Sequence, residues 1–126
     1  MKLKAMMMCV GFAVFAMPIS EALAKTVQVT LHAKEVDLPI DNKGTMYKSW
    51  TFDGEVPGPL VRVTQGDTVE FTLINSKDNK NSHSIDFHAS QLDVVENFGQ
   101  IKPGETKQFT FTAKYPGIFF YHCGSD

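Results

Sequence analysis

Four side chains of the types that bind transition metals stand out in the sequence: His83, His88, His122 and Cys123. Imidazole and thiolate groups are the ligands that copper and zinc prefer in proteins. The four residues fall into two pairs, because His122 and Cys123 are adjacent and His83 precedes His88 by five positions. The pattern therefore indicates metal chemistry built from two segments of the chain.

The spacing within each pair is odd, and side chains alternate between the two faces of a β-strand. If the two segments are neighbouring strands, each face receives one member of each pair. Metal chemistry favours His83 together with Cys123 in one site. His88 and His122 would then form the other. A thiolate–imidazole site is typical of blue-copper electron transfer, whereas an imidazole-only site suits a metal with an open position for substrate. Electrons could pass between the sites through the His122–Cys123 peptide.

Asp86 adds a carboxylate to this pattern. It lies two residues before His88, hence on the same strand face, and three residues after His83, hence on the opposite face. A carboxylate there could shuttle protons to an oxyanion bound at the imidazole-only site. A solvent-facing strand aspartate is the alternative. We interpret His32, which has no other ligand at a suitable spacing, as a solvated strand histidine.

Residues 1–24 have the composition of a signal peptide. A basic start is followed by an apolar stretch, residues 5–19, that is too short to span a bilayer unaided. The triplet Ala22, Leu23, Ala24 supplies a small-x-small cleavage pattern, so we expect a cut before Lys25 and a periplasmic or otherwise exported protein. An N-terminal membrane anchor is the alternative. Cys123 would then be the only mature cysteine, and a lone thiol in an oxidising compartment favours a metal ligand.

The composition of the 126-residue chain excludes several classes of protein. Twelve Lys and Arg residues against 14 Asp and Glu residues give a net charge of −2, without the basic surplus that nucleic-acid binding requires. A hydrophobic content of 43% is that of a globular domain and unlike that of a disordered or collagen-like chain. We therefore predict one domain over residues 25–126, with neither a nucleic acid nor a membrane as partner.

Short alternating segments separated by Pro and Gly turns predict an all-β fold, an antiparallel sandwich or barrel. The segment over residues 68–75 places Val69, Phe71 and Leu73 on one face, and a later strand directs Phe109 and Phe111 inward. Residues 90–98 fit either a short helix or a loop. The predicted extended segments are residues 26–32, 46–52, 60–63, 68–75, 83–89, 106–113 and 118–123.

Three motifs give the sequence a resemblance to a known family. They are Thr-Phe-Asp-Gly-Glu-Val-Pro-Gly-Pro at residues 51–59, His-Ser-Ile-Asp-Phe-His at residues 83–88, and Tyr-His-Cys at residues 121–123. Together they resemble the first cupredoxin, or plastocyanin-like, domain of copper-containing nitrite reductases, within the multicopper oxidase superfamily. The resemblance implies a Greek-key cupredoxin sandwich or barrel over nearly all of the mature chain, with type 1 and type 2 copper as cofactors.

The resemblance also implies a role for each candidate residue. His83 and Cys123 would bind type 1 copper. His88 and His122 would bind type 2 copper, where Asp86 would be the catalytic acid. The implied reaction is the one-electron reduction of nitrite to nitric oxide, which consumes two protons and releases water. The implied partners are nitrite, a small cupredoxin or cytochrome c as electron donor, and further copies of the chain in a homotrimer when full length.

Two features depart from the family pattern. Three residues follow Cys123, so the second type 1 histidine, the axial methionine, the final strand and the second domain are expected to be missing. We interpret the sequence as a C-terminally incomplete domain that is inactive alone. Residues 91–99 also differ from the glycine-rich segment of nitrite reductases. The alternatives are a single-domain electron-transfer cupredoxin, a laccase-like multicopper oxidase domain and an immunoglobulin-like binding module.

Overall fold

The computed structural model of the chain describes residues 23–125, and its regular elements are almost all strands. The strands are β1 (Thr26–Pro39), β2 (Met46–Phe52), β3 (Thr68–Asn75), β4 (Asp86–Phe87), β5 (Thr106–Thr112) and β6 (Tyr121–His122). A 3₁₀ turn (His88–Ser90) and the short helix α1 (Val94–Asn97) lie between β4 and β5. The all-β prediction is confirmed. The predicted signal peptide, apart from its last two residues, lies outside the described residues.

The larger sheet is built around β1, whose two halves have different partners. The first half runs parallel to β3, with Val27 opposite Val69. The second half pairs antiparallel with β2 from Ala33 to Pro39. Because β5 pairs antiparallel with β3, the strand order is β2-β1-β3-β5. A second sheet consists of β4 and β6 alone and sets Asp86 opposite His122. Within residues 23–125, no helix has the length and apolar character of a membrane span.

The parallel pairing of β1 with β3 corrects the antiparallel arrangement that the sequence predicts. β2 ends opposite Ala33, in the middle of β1, and residues 53–67 carry the chain on to the level of Thr26. β3 therefore begins beside the start of β1 and runs in the same direction. A connection of more than about a dozen residues permits such a crossover. β1 also extends well beyond the predicted residues 26–32, because its second half is the partner of β2.

Three other predicted segments form less strand than expected. Residues 60–63 form none, since they belong to the crossover and follow two prolines that lack a backbone donor. Of residues 118–123, only Tyr121 and His122 form a strand, β6, because the partner strand β4 has only two residues to pair with them. β4 is short because His88 begins a 3₁₀ turn, while His83 forms only an isolated bridge with Ile101. The undecided residues 90–98 include the short helix α1.

Aromatic rings fill the core between the two sheets. The inward residues of β3 are almost fully buried, as predicted: Val69, Phe71 and Leu73. Phe71 stacks on Phe109 with ring centroids 4.8 Å apart, and the ring of Phe87 lies 5.4 Å from that of Tyr121. Burying one such side chain contributes about 2–3 kcal/mol relative to leaving it in water. Phe87 and Tyr121 also belong to β4 and β6, so the core fixes the strands that carry candidate ligands.

A buried pair of amides ties the polar loop before His83 to the sheet. Asn75 is fully buried, and its Nδ2 donates to the carbonyls of Asn81 at 3.0 Å and Ile101 at 2.9 Å. Asn79 donates in turn to the Asn75 Oδ1 at 2.6 Å. Ile101 also exchanges two backbone hydrogen bonds with His83. The two amides therefore help to fix the backbone position of His83, the first candidate ligand.

We expect Asn75→Ala to lower the free energy of unfolding by about 3 kcal/mol, since it leaves buried polar groups without partners. Urea unfolding followed by Trp50 fluorescence measures the change. Asn42→Ala is the matched control, because Asn42 is exposed in a turn, and it should shift the free energy by less than about 0.5 kcal/mol. Equal effects of the two variants would contradict the role given to the buried amides.

Candidate metal centres

The segment over residues 83–88 sends its side chains to two opposite sides. Residues 83–85 are all buried; from Ile85 onward the side chains alternate, with Phe87 buried, Asp86 half-buried and His88 exposed. The alternation follows from the extended backbone, on which every second residue shares a face. The two histidines are thus separated, and each can meet a different residue of the His122–Cys123 pair.

The first cluster joins His83 to Cys123, whose Sγ lies 3.8 Å from His83 Nδ1. His83 is only 2% exposed, while Cys123 is partly buried. The Ser84 hydroxyl accepts a hydrogen bond from the Gly124 N–H at 2.9 Å and so holds the chain just after the thiol. A cavity of about 200 Å³ opens onto both the thiol and the imidazole and is bordered by Trp50.

The surroundings of Cys123 lower the pKa of its thiol to about 7. Burial by itself raises this pKa, but hydrogen bonds from the backbone of Ser84 and Ser125 stabilise the thiolate and outweigh it. The thiolate, not the thiol, is the form that binds metals. Near neutral pH, a large fraction of the Cys123 side chains is therefore ionised and able to bind a metal.

The second cluster consists of His88, His122 and Asp86. The two Nε2 atoms lie 3.1 Å apart, and Asp86 Oδ2 lies 3.7 Å from His88 Nε2. The ligand atoms of all three residues lie within 4.8 Å of one another. The cross-strand pairing of Asp86 with His122 brings them together. Side-chain exposures of 39% for His88 and 23% for Asp86 show that this cluster is open to solvent.

Both clusters have the donor types and separations of metal ligands. Bonds of about 2.0–2.3 Å from a metal to nitrogen and sulfur place two ligands of one ion roughly 3.3–3.8 Å apart. The S–N distance of 3.8 Å and the N–N distance of 3.1 Å are close to this range. Thiolate and imidazole donors suit copper or zinc rather than magnesium or calcium. The described residues therefore fit copper at two separate places.

The structure brings together all five residues that the sequence singles out, in the grouping that metal chemistry favours among those that strand alternation allows. It also adds a residue that the sequence does not single out. Glu35 Oε1 lies 3.2 Å from His83 Nε2, although 48 positions separate the two residues. Nothing in the alternation of β1 marks Glu35, so only the folded chain reveals it. His32 is half-exposed and bonds Asp53 at 3.0 Å.

Comparison with known sequences relates the chain to copper enzymes. Residues 34–126 match the sequence profile of the multicopper oxidase family. The chain is 44% identical over 105 residues to a copper-containing nitrite reductase of Rhizobium sullae, and 41% identical over 107 residues to that of Alcaligenes faecalis. These alignments cover 82% and 83% of this chain but only 28% of each relative. The chain thus spans little more than a quarter of the length of these curated relatives.

Solved structures give the same relationship. A copper nitrite reductase from Nitrosomonas europaea is 74% identical and superposes with a TM-score of 0.77, over 79% of this chain and 35% of that one. A multicopper oxidase at 26% identity superposes with a TM-score of 0.70, over 79% and 36% of the two chains. The predicted cupredoxin fold is confirmed.

We expect the Cys123 thiol of the metal-free chain to react with iodoacetamide at a half-maximal rate near pH 7, because the thiolate is the nucleophile. Mass spectrometry of the Cys123 peptide separates this reaction from that of Cys9. In urea the hydrogen bonds to sulfur are lost, so the midpoint should rise toward about 8.5. The same midpoint in the folded and unfolded chain would rule out the environment described for Cys123.

Proposed function

The chain belongs to the multicopper oxidase family, and we propose that it is the copper-binding N-terminal domain of a nitrite reductase. The observation that carries the proposal is the pair of clusters that the adjacent residues His122 and Cys123 supply. One cluster has the donors of an electron-transfer site. The other has two imidazoles and a carboxylate at the surface, a set of groups that suits binding of a metal and protonation of a small anion. The identity with nitrite reductases supports this assignment.

In this proposal, His83 and Cys123 hold type 1 copper, and His88 and His122 hold type 2 copper. When bound, the copper ions would supply one-electron transfer at the first cluster and Lewis acidity with an open position at the second. The lowered pKa of the Cys123 thiol and the burial of His83 support the electron-transfer role, because a water-poor, soft-donor site suits it. The exposure of His88 supports substrate access at the other cluster.

The chain's own residues provide the electron path and a proton. The His122–Cys123 peptide links the two clusters covalently and so offers the electron a path of one dipeptide. The Asp86 carboxylate lies 3.7 Å from His88 Nε2 and is partly exposed, so it can hold a proton beside a bound nitrite oxygen and be reprotonated from solvent. Nitrite, one electron and two protons then give nitric oxide and water. The Phe120 ring, 4.3 Å from that of His88, packs against this imidazole.

The partners and location follow from the same proposal. We propose nitrite as the substrate, a small cupredoxin or cytochrome c as the electron donor, and a homotrimer for the full-length protein. We also propose export to the periplasm after removal of residues 1–24. Export is supported by the basic start and apolar stretch of residues 1–24. It is also supported by Cys123, the lone cysteine of the remaining chain.

Two other functions are less well supported. An electron-transfer cupredoxin needs only the His83–Cys123 cluster, and the second cluster would then have no purpose. A laccase-like oxidase is favoured by the likeness to a solved multicopper oxidase. Against it, each of the two segments gives the second cluster only one histidine, His88 or His122. A trinuclear copper cluster usually takes two histidines from each such segment. Oxygen consumption without nitrite turnover by the copper-loaded protein would favour the oxidase.

In the full-length, copper-loaded protein, His88→Ala should abolish nitrite reduction while the visible thiolate-to-copper absorption persists. The reason is that His88 belongs to the second cluster only. Nitric oxide release and the absorption spectrum are measured on the same sample. His32→Ala is the matched control, since His32 bonds Asp53, and should keep both signals. Nitrite turnover by His88→Ala would refute the assignment of the open site.

Asp86→Asn should lower nitrite turnover by roughly 10²–10⁴-fold, the usual contribution of a positioned proton donor. Copper content, measured by elemental analysis, should not change. The control is Asp78→Asn, which neutralises an exposed loop carboxylate. If both variants turn over nitrite at the same rate, Asp86 is not the catalytic acid.

A further inference from the structure

We propose that Glu35 is a positioning residue for His83: its carboxylate holds the Nε2–H of the ring and directs the free lone pair of Nδ1 toward Cys123. The inference deepens the proposed copper site at His83 and Cys123 and rests on it. Neither the motifs nor the comparisons assign Glu35 a role.

Glu35 is itself held firmly in place. Its Oε1 accepts hydrogen bonds from the backbone N–H of Lys80 at 3.0 Å and of Asn81 at 2.8 Å, and from the Asn81 side chain at 3.1 Å. The same oxygen lies 3.2 Å from His83 Nε2, and the Glu35 side chain is only 19% exposed. The carboxylate therefore keeps a fixed position relative to the imidazole.

The carboxylate decides which ring nitrogen of His83 carries the proton. The Glu35 Oε1 atom already accepts three N–H groups, from the backbone of Lys80 and of Asn81 and from the Asn81 side chain. This oxygen therefore meets the ring as an acceptor, so Nε2 must be the donor. In a neutral imidazole, Nδ1 then has the free lone pair. Nδ1 is the atom that lies 3.8 Å from Cys123 Sγ.

The strand pair β1–β2 delivers a second contact to the same ring. Trp50 is the register partner of Glu35, and its ring meets that of His83 edge-on at 4.7 Å and 88°. His83 is thus held by a charge at one ring edge and by an aromatic side chain beside it, at a site almost closed to solvent. A flip of the ring would turn Nε2 toward the thiol and would break the bond to Glu35.

A carboxylate on the far nitrogen of a ligand imidazole raises the basicity of the ligand, and losing it typically weakens metal binding about 10–100-fold. The negative charge favours the copper state of higher charge. Neutralising Glu35 should therefore weaken binding of Cu(II) more than binding of Cu(I), and the reduction potential of the site should rise.

The first test is Glu35→Gln in the full-length, copper-loaded protein. Glutamine keeps an oxygen for the N–H groups but removes the charge. We expect the ratio of the Cu(I) affinity to the Cu(II) affinity to rise about tenfold. This change raises the reduction potential by about 59 mV, which a redox titration of the visible absorption measures. Asp53→Asn is the matched control, because it neutralises a carboxylate bonded to His32, and it should leave the potential unchanged. Loss of thermal stability in Glu35→Gln with an unchanged potential would overturn the inference.

The second test needs neither copper nor a variant. Nitrogen-15 NMR of the metal-free full chain with labelled histidine reports the protonated ring nitrogen of His83. A proton on Nε2 supports the inference, and a proton on Nδ1, shared with the thiol, overturns it. If the wild-type protein shows no thiolate-to-copper absorption, the proposed copper site fails, while this spectrum still decides whether Glu35 sets the proton position.

Discussion

The alternation of side chains along β4 and β6 is the constraint on which both clusters depend. These strands have two residues each, and they set Asp86 opposite His122 and Phe87 opposite Tyr121. The first pair faces the exposed cluster, and the second pair stacks in the core. A slip of one residue would exchange the two faces, so that imidazole and carboxylate would enter the core and aromatic rings would leave it. The free energy of burying those rings therefore also fixes the position of the ligands.

Two-residue strands have too few ladder hydrogen bonds to hold such a register by themselves. Packing supplies the rest. The Tyr121 hydroxyl donates to the Pro59 carbonyl at 2.7 Å, and the Phe52 ring meets the Tyr121 ring at 5.2 Å. A Cβ atom on Gly58 would approach that hydroxyl to 2.6 Å, so the crossover can pass this close only with glycine there. The crossover over residues 53–67, which carries no strand, thus holds β6, the strand that bears His122, in position.

Local patterns in the sequence were enough to predict those parts of the fold that depend on neighbouring residues. The alternation of β3 placed Val69, Phe71 and Leu73 inside, and the odd spacing of the histidines placed His83 and His88 on opposite sides. The parallel partner of β1 was not predictable in this way, because a long connection decides the direction of β3. Glu35 is not predictable for a similar reason: its bond to His83 exists only after β1 and the loop at Lys80 and Asn81 have packed together.

The adjacency of His122 and Cys123 has a consequence for how such a protein can diverge. One peptide unit supplies a donor to each cluster, so any movement of that backbone is shared by both. Mutations that adjust one cluster without disturbing the other must act through residues that belong to that cluster alone, as His88 does in the second cluster. The shared dipeptide therefore restricts how independently the two clusters can diverge.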